Sequence, residues 1–324
     1  MQPFETATPR YPESDFRKKR LGQPLNLFLF ILCLLIILPA PSAAKMVTDQ
    51  LGRRVRMPDH PQRIVSMAPS ITEIVFALDL SNRLVGATQF SDYPPAVKAL
   101  PKVGSYVHLD VEKIVALHPD LCIAVKDGNP ISVVSKLESV GIPVYAVDPI
   151  NLDAVMDTLL ELGRLLDVND RAKAIVAEMA DRIQRVQQRV SGASNRPAVF
   201  FQIGISPIVS VGTKTFIHEL IVMAGGTNLA HGKTPYPRFS KEQVIVLRPE
   251  VIIITSMARM AVFEQVKADW QQWRELPAVK NDRIYLVDSN VLDRPTPRLV
   301  DGLELLAQLI HPDRFNAVGT GAQP

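Results

Sequence analysis

Only two of the 324 residues are cysteine, Cys33 and Cys122, and only Cys122 lies beyond residue 44. A single thiol makes no internal disulfide, so the chain beyond that point must be held by its apolar cores. Cys122 sits inside an aliphatic run and reads as a small buried apolar residue. Aromatic residues are 6% of the chain, with two Trp, so a site lined by rings has few to draw on. There is no G-x-G-x-x-G and no phosphate-binding loop, which argues against the common nucleotide-binding classes. His218-Glu219 begins like a zinc-protease signature, but Val222 stands where the second His belongs. The remaining histidines, His60, His108, His118, His231 and His311, lack metal-ligand spacing. Charge is nearly balanced, 36 basic against 33 acidic side chains, with no sustained basic block beyond residue 44. That leaves no electrostatic footprint for nucleic acid. No nucleophile–base arrangement or paired-acid site stands out, so the reading is not an enzyme.

The one long apolar run is near the start. Arg17-Lys-Lys-Arg20 precedes Leu25 to Leu38, and Pro39-Ala-Pro-Ser-Ala-Ala44 follows. A basic segment, a short apolar segment and small residues at Ser42 and Ala44 predict a signal peptide over residues 1–44 and export to the periplasm. The run is short for a membrane span, and an uncleaved anchor is the alternative. Cys33 follows the bulky Leu32, unlike a lipid-acceptor cysteine.

What is present is a repetition. Glu112-Lys-Ile-Val-Ala-Leu-His-Pro-Asp-Leu-Cys-Ile-Ala-Val125 aligns without a gap on Glu242-Gln-Val-Ile-Val-Leu-Arg-Pro-Glu-Val-Ile-Ile-Ile-Thr255, 130 residues further on. Each copy predicts a short helix that opens before the Glu, ends near the Pro and leads into a buried strand. A repeat at domain length points to two similar lobes, since solenoid repeats run about 20–50 residues. Asp110 and Ser240 are preferred N-caps, and Ser240-Lys-Glu-Gln243 fits a capping box. Glu112 and Glu242 therefore have two readings. They complement a helix dipole, or they form a two-point docking surface for a basic partner.

Short aliphatic strands alternate with helical stretches at Arg63–Pro69, Leu84–Thr88, Leu121–Val125, Val144–Val147, Ala198–Ile203, Val251–Thr255 and Ile284–Val287, the pattern of parallel βαβ units. Leu152–Leu166 and Arg171–Val190 are helical and free of Pro. The second carries Ile175, Val176, Met179, Ile183 and Val186 on one side and is long enough to join two lobes. The expected fold is α/β, two Rossmann-like lobes joined by a single long helix, with a ligand cleft between them. The boundaries are a signal peptide at 1–44, a lobe at 45–165, a connector at 166–196, a lobe at 197–315 and a tail at 316–324. Open α/β sheets bind ligands beyond the carboxyl ends of their strands. The loops there hold Phe90 to Pro95, Tyr106 to His108, Lys126 to Asn129, Gly204 to Ser206, Tyr236 to Phe239 and Asn290 to Arg294. Their rings and polar groups suit a large ligand with polar edges.

These stretches resemble the solute-binding proteins of ABC importers for cobalamin, iron-siderophores and haem, and most of all the periplasmic cobalamin-binding branch. The resemblance covers about residues 46–312. It rests on Arg63-Ile-Val-Ser-Met-Ala-Pro-Ser-Ile-Thr-Glu73, Phe90-Ser-Asp-Tyr-Pro-Pro95, Glu112 to Asp120, Phe200 to Gly204 with Pro207, Gly225-Gly-Thr-Asn228, Glu242 to Glu250, and Arg294 with Pro297-Arg298. It implies that Glu112 and Glu242 meet arginines of an ABC permease dimer, itself coupled to ATPase subunits. It implies Tyr93, Tyr106, Tyr236, Asn290 and Arg294 as ligand contacts, cobalamin or another corrinoid as ligand, no resident cofactor, no nucleic acid partner, and a monomer when free. The chain departs from the branch at Tyr106 and Tyr236, where Trp is typical, at Val125 and Val291, other aromatic places, and at Ala224, a disulfide position. The thinner lining keeps haem and a ferric siderophore open as ligands, with Tyr106 or His108 as candidate axial ligand. A distant alternative is an enzyme or chelatase on a related bilobal scaffold.

Overall fold

The computed structural model describes residues 44–256 and 260–315. The predicted signal peptide, apart from its last residue Ala44, and the tail at 316–324 lie outside the described residues. The first element is a hairpin that the sequence pattern does not announce, β1 (Ala44–Thr48) paired antiparallel with β2 (Arg54–Pro58). The buried Asp49 carboxylate closes its turn by accepting the N–H groups of Leu51 (3.0 Å) and Arg53 (2.8 Å). The N-terminal lobe then builds a four-stranded sheet from β3 (Ile64–Ser66), β4 (Leu84–Gly86), β5 (Leu121–Val125) and β6 (Val144–Val147). Its order is β4-β3-β5-β6, parallel throughout. Helices α1 (Pro69–Ala77), α2 (Val111–Ala116) and α3 (Ile131–Ser139) fall between the strands, as βαβ connections require.

Two helices lead out of this lobe, α4 (Leu152–Leu165) and α5 (Asn169–Ser191). The 23-residue α5 contains neither Pro nor Gly and buries Ala172, Ile175, Met179, Ile183 and Val186 along one stripe, so nothing in it invites a kink. Both ends are tied. Arg171 donates to the Ala77 carbonyl at the end of α1 (2.9 Å), and Arg182 reaches Asp301 and Glu304 of the C-terminal lobe, each at 2.6 Å.

The C-terminal lobe contains β7 (Ala198–Gly204), β8 (Ile208–Ser210), β9 (Thr227–Asn228), β10 (Arg238–Phe239), β11 (Val251–Ser256) and β12 (Ile284–Asp288), in the order β10-β8-β7-β11-β12 with β9 also on β7. β7, β11 and β12 run parallel, while β8 and β10 are antiparallel. Its helices are α6 (Phe216–Met223), α7 (Lys241–Leu247), α8 (Met260–Gln271), α9 (Pro277–Lys280), α10 (Ser289–Leu292), α11 (Leu299–Ile310) and α12 (Pro312–Phe315).

Strand alternation decides where the cores sit. In β5, Leu121, Ile123 and Val125 face one cluster while Cys122 and Ala124 face another. In β11, Val251 and Ile253 face the first of these, and Ile252 and Ile254 a third. The first cluster runs unbroken through both lobes, with Ile175, Met179 and Ile183 of α5 between them. The two cores that the length suggests are thus joined along the connector. The separate clusters lie on the other sheet faces, under Ile114 of α2 and Val244 of α7.

Candidate functional site

The repeated unit folds alike in both lobes. Asp110 accepts the Lys113 N–H (3.0 Å) at the start of α2, and Ser240 accepts that of Gln243 (3.3 Å) at the start of α7, with the full capping box formed. Glu112 and Glu242 stand exposed in the two first turns. The Ser240 hydrogen bond holds the Glu242 carboxyl below the ordinary carboxylate range. A residue of positive φ follows each helix at the same place in the repeat, His118 (φ 47°) and Arg248 (φ 50°). The acid after each Pro has a structural role. Asp120 accepts the N–H groups of Gln62 (2.7 Å) and Arg63 (2.9 Å), and Glu250 that of Ala198 (2.7 Å), where the paired strand begins.

The cleft is lined by unlike pieces. On the N-terminal side, Gly104 bridges to Leu109, and Tyr106 lies on the turn between them. Its ring rests on Gly128, where any Cβ would meet the ring at 2.6 Å, and that residue's φ of +128° also favours glycine. Asn129 ties this turn down by donating to the carbonyls of Tyr106 (2.7 Å) and Met67 (2.8 Å) while accepting the Val125 N–H (2.8 Å). Phe90 meets Tyr106 edge-on, ring centres 6.5 Å apart.

On the C-terminal side, Tyr236 stands between Pro235 and Pro237 on the segment that returns into β10, and is 54% exposed. The segment is pinned by Gly212 N–H to the Pro235 carbonyl (2.7 Å) and Ser210 N–H to that of Pro237 (3.0 Å). The Tyr236 hydroxyl is pushed up, first by burial, then by Asp127, Asp293 and Tyr106. Two of these three belong to the opposite lobe, so Tyr236 lies within electrostatic reach of Tyr106 across the cleft. Asn290 lies on α10, its N–H donated to Asp288 (2.9 Å). Asp293 next to it accepts from Thr255 (3.4 Å) and is pushed up to about 7 by burial.

Tyr93 and Arg294 sit where the lobes touch. Arg294 donates to Glu73 (2.9 Å), to Asp92 (2.7 Å) and to the Phe90 carbonyl (3.2 Å). Arg298 reaches Glu73 at 3.4 Å and lays its guanidinium 3.9 Å from the centre of the Tyr93 ring. Arg294 therefore enters the cleft wall with both terminal nitrogens engaged by the N-terminal lobe, not as an open donor. Glu73 and Arg298 are the residues that sequence reasoning does not single out. The available signal was a lone acid in the apolar run Ile71-Thr-Glu-Ile-Val75, which needs a partner when buried. Among the described residues, no group of three or more His, Cys, Asp or Glu is placed to hold a metal ion.

A bilobal α/β fold with parallel sheets, a helical connector and a lined cleft defines an extracytoplasmic binding-protein architecture. The chain matches the family described as Periplasmic binding protein over residues 64–291 and belongs to it. The Vitamin B12-binding protein of Vibrio cholerae is 35% identical over 246 residues, covering 75% of this chain and 87% of that protein. The solved periplasmic vitamin B12 binding protein BtuF of Vibrio cholerae superposes with a TM-score of 0.69 at 30% identity, over 78% of this chain and 97% of its own. A periplasmic heme binding protein from Pseudomonas aeruginosa gives a TM-score of 0.72 at 29% identity, over 78% and 93%.

Proposed function

We propose that this protein captures cobalamin or a related corrinoid between its lobes and delivers it to an ABC permease dimer. What supports the reading is that Tyr106 of one lobe, held against Gly128, and Tyr236 of the other lie within electrostatic reach of each other. Stacking on a broad ring system adds roughly 0.5–1.5 kcal/mol beyond burial. Tyr93, Asn290 and Arg294 complete the ligand wall. The relatives named for vitamin B12 support this ligand class. Glu112 and Glu242, placed alike on two lobes, serve as the docking pair for basic residues of the permease. The role is transport without turnover, in a free monomer brought out of the cytoplasm by the segment ending at Ala44, with no resident cofactor.

A second reading, haem as cargo, is favoured by the likeness to the Pseudomonas aeruginosa protein. The absorption spectrum of protein purified from its native host separates them. A corrin spectrum supports the first reading, and a Soret band supports the second.

A further inference from the structure

The contact between the lobes is built around one buried carboxylate. Glu73 is 4% exposed on α1, a helix with no other charged residue, and its two oxygens take one arginine each from the opposite lobe. Both arginines continue to the same place. Arg294 holds Asp92 and the Phe90 carbonyl, and Arg298 covers the Tyr93 ring. Two acids and two cations make a neutral quartet in which each acid lies more than 200 residues from the arginines it meets. A buried ion pair of this kind adds little net stability over apolar packing, because desolvation offsets its Coulombic gain. What it does well is fix one arrangement, since every alternative strands a charge.

We infer that Glu73 is a positioning residue for the ligand site: through Arg294 and Arg298 it holds the Phe90–Tyr93 loop at one depth in the cleft. Its carboxylate need not touch the ligand. The hydroxyls of Ser66, Thr72, Ser91 and Thr88 form a chain of hydrogen bonds of 2.8–3.0 Å beneath the same loop, so the loop is held from below by its own lobe and from the side by the other. The consequence for affinity rests on the corrinoid reading; the consequence for the loop does not.

The test is amide hydrogen exchange on the full, ligand-free protein, read over residues 88–100. There the Ser91 and Val97 N–H groups are hydrogen-bonded to Thr88 and Pro94 and so report opening. Glu73→Gln keeps the shape and removes the charge. Asp92→Asn, at a half-exposed side chain, is the second variant in case the first does not fold. The expected result is exchange about tenfold faster over 88–100 in each variant, with β5 and β11 unchanged. In corrinoid titrations the same variants release ligand about tenfold faster with little change in association. Unchanged exchange over 88–100, or an equal rise throughout both lobes, overturns the inference, the latter because it marks a merely stabilising ion pair. Faster exchange confined to the loop in a protein that binds no corrinoid upholds the positioning role and removes only the ligand reading.

Discussion

In the N-terminal lobe Asp110 caps a six-residue helix that carries Glu112, His118 turns the chain after it with positive φ, and Asp120 then clamps the neighbouring strand. In the C-terminal lobe Ser240, Glu242, Arg248 and Glu250 do the same in a seven-residue helix. The likeness stops at the cleft. Tyr106 lies on a turn closed by the Gly104–Leu109 bridge, whereas Tyr236 rides on a two-proline segment pinned to β8 and leading into β10, antiparallel strands with no counterpart in the first sheet. On the proposed function, one unit is repeated where two lobes present the same group to a partner. Where they enclose a single ligand, each has its own loop. On that reading, repetition tracks the docking face and divergence tracks the cleft.

The largest expected effect tests the repeated half of that comparison. Changing Glu112 and Glu242 together to Ala should lower permease-coupled uptake by about tenfold or more while ligand affinity stays within about twofold. Uptake assays in cells with matched protein levels, paired with titration of the free protein, read both numbers. If one single variant matches the double, only one lobe docks and the pairing is broken.

The strand clamps come next. Asp120→Ala should destabilise more than Glu250→Ala, because Asp120 accepts two backbone N–H groups and Glu250 one. About 1.5–3 kcal/mol is the scale for a hydrogen bond to a charged group. Urea unfolding of the two variants would show the order, and equal losses would argue that the extra bond contributes nothing.

The divergent half is probed at the rings. Tyr236→Ala should weaken corrinoid binding about three- to tenfold with the free protein's Tm nearly unchanged, and Tyr106→Ala should do the same from the other lobe. Tyr236→Trp should be tolerated or should tighten cobalamin. Calorimetric titration of the three variants checks this, and an effect from one lobe alone would sharpen the comparison into a one-sided cleft.

A smaller difference is a matter of pH. Asp293 has its pKa raised to about 7 in the folded protein, so between the unfolded value and about 7 the native state holds a proton that the unfolded chain has released. That contribution to stability is complete at the acid end of the window and is lost as pH rises to about 7. Asp293→Asn should flatten this part of the stability profile by on the order of 1 kcal/mol, after allowing for the carboxyl's partial contact with solvent. Parallel profiles for wild type and variant between pH 4.5 and 7.5 would contradict it, an interval of about three units on the scale of the shift.

Much of the frame was legible from pattern. β5 and β6 fall on the runs Leu121–Val125 and Val144–Val147, and the stripe Ile175, Met179, Ile183, Val186 marks the buried face of α5. Those signals are periodic and local, so burial obeys them. The hairpin at Ala44–Pro58 was not legible because its five-residue strands leave most of their side chains exposed or half-buried and carry no continuous apolar run. The two- and three-residue strands β8, β9 and β10 are too short to carry a period of their own. The acids Glu112 and Glu242 stand out in the sequence because they repeat. Glu73 could not be paired with Arg294 or Arg298, since a partnership across more than 200 residues leaves no trace in spacing. Asp120 and Glu250 repeat as visibly as Glu112 and Glu242 do. Only geometry separates a clamp from a surface charge.

The central claim is the ligand, and titration of the purified protein with cyanocobalamin, cobinamide, haem and a ferric siderophore meets it most directly. The account expects one corrinoid per chain at about micromolar affinity or tighter, with haem and the siderophore weaker by about tenfold or more. Saturable haem or siderophore binding with no heat from either corrinoid would contradict it.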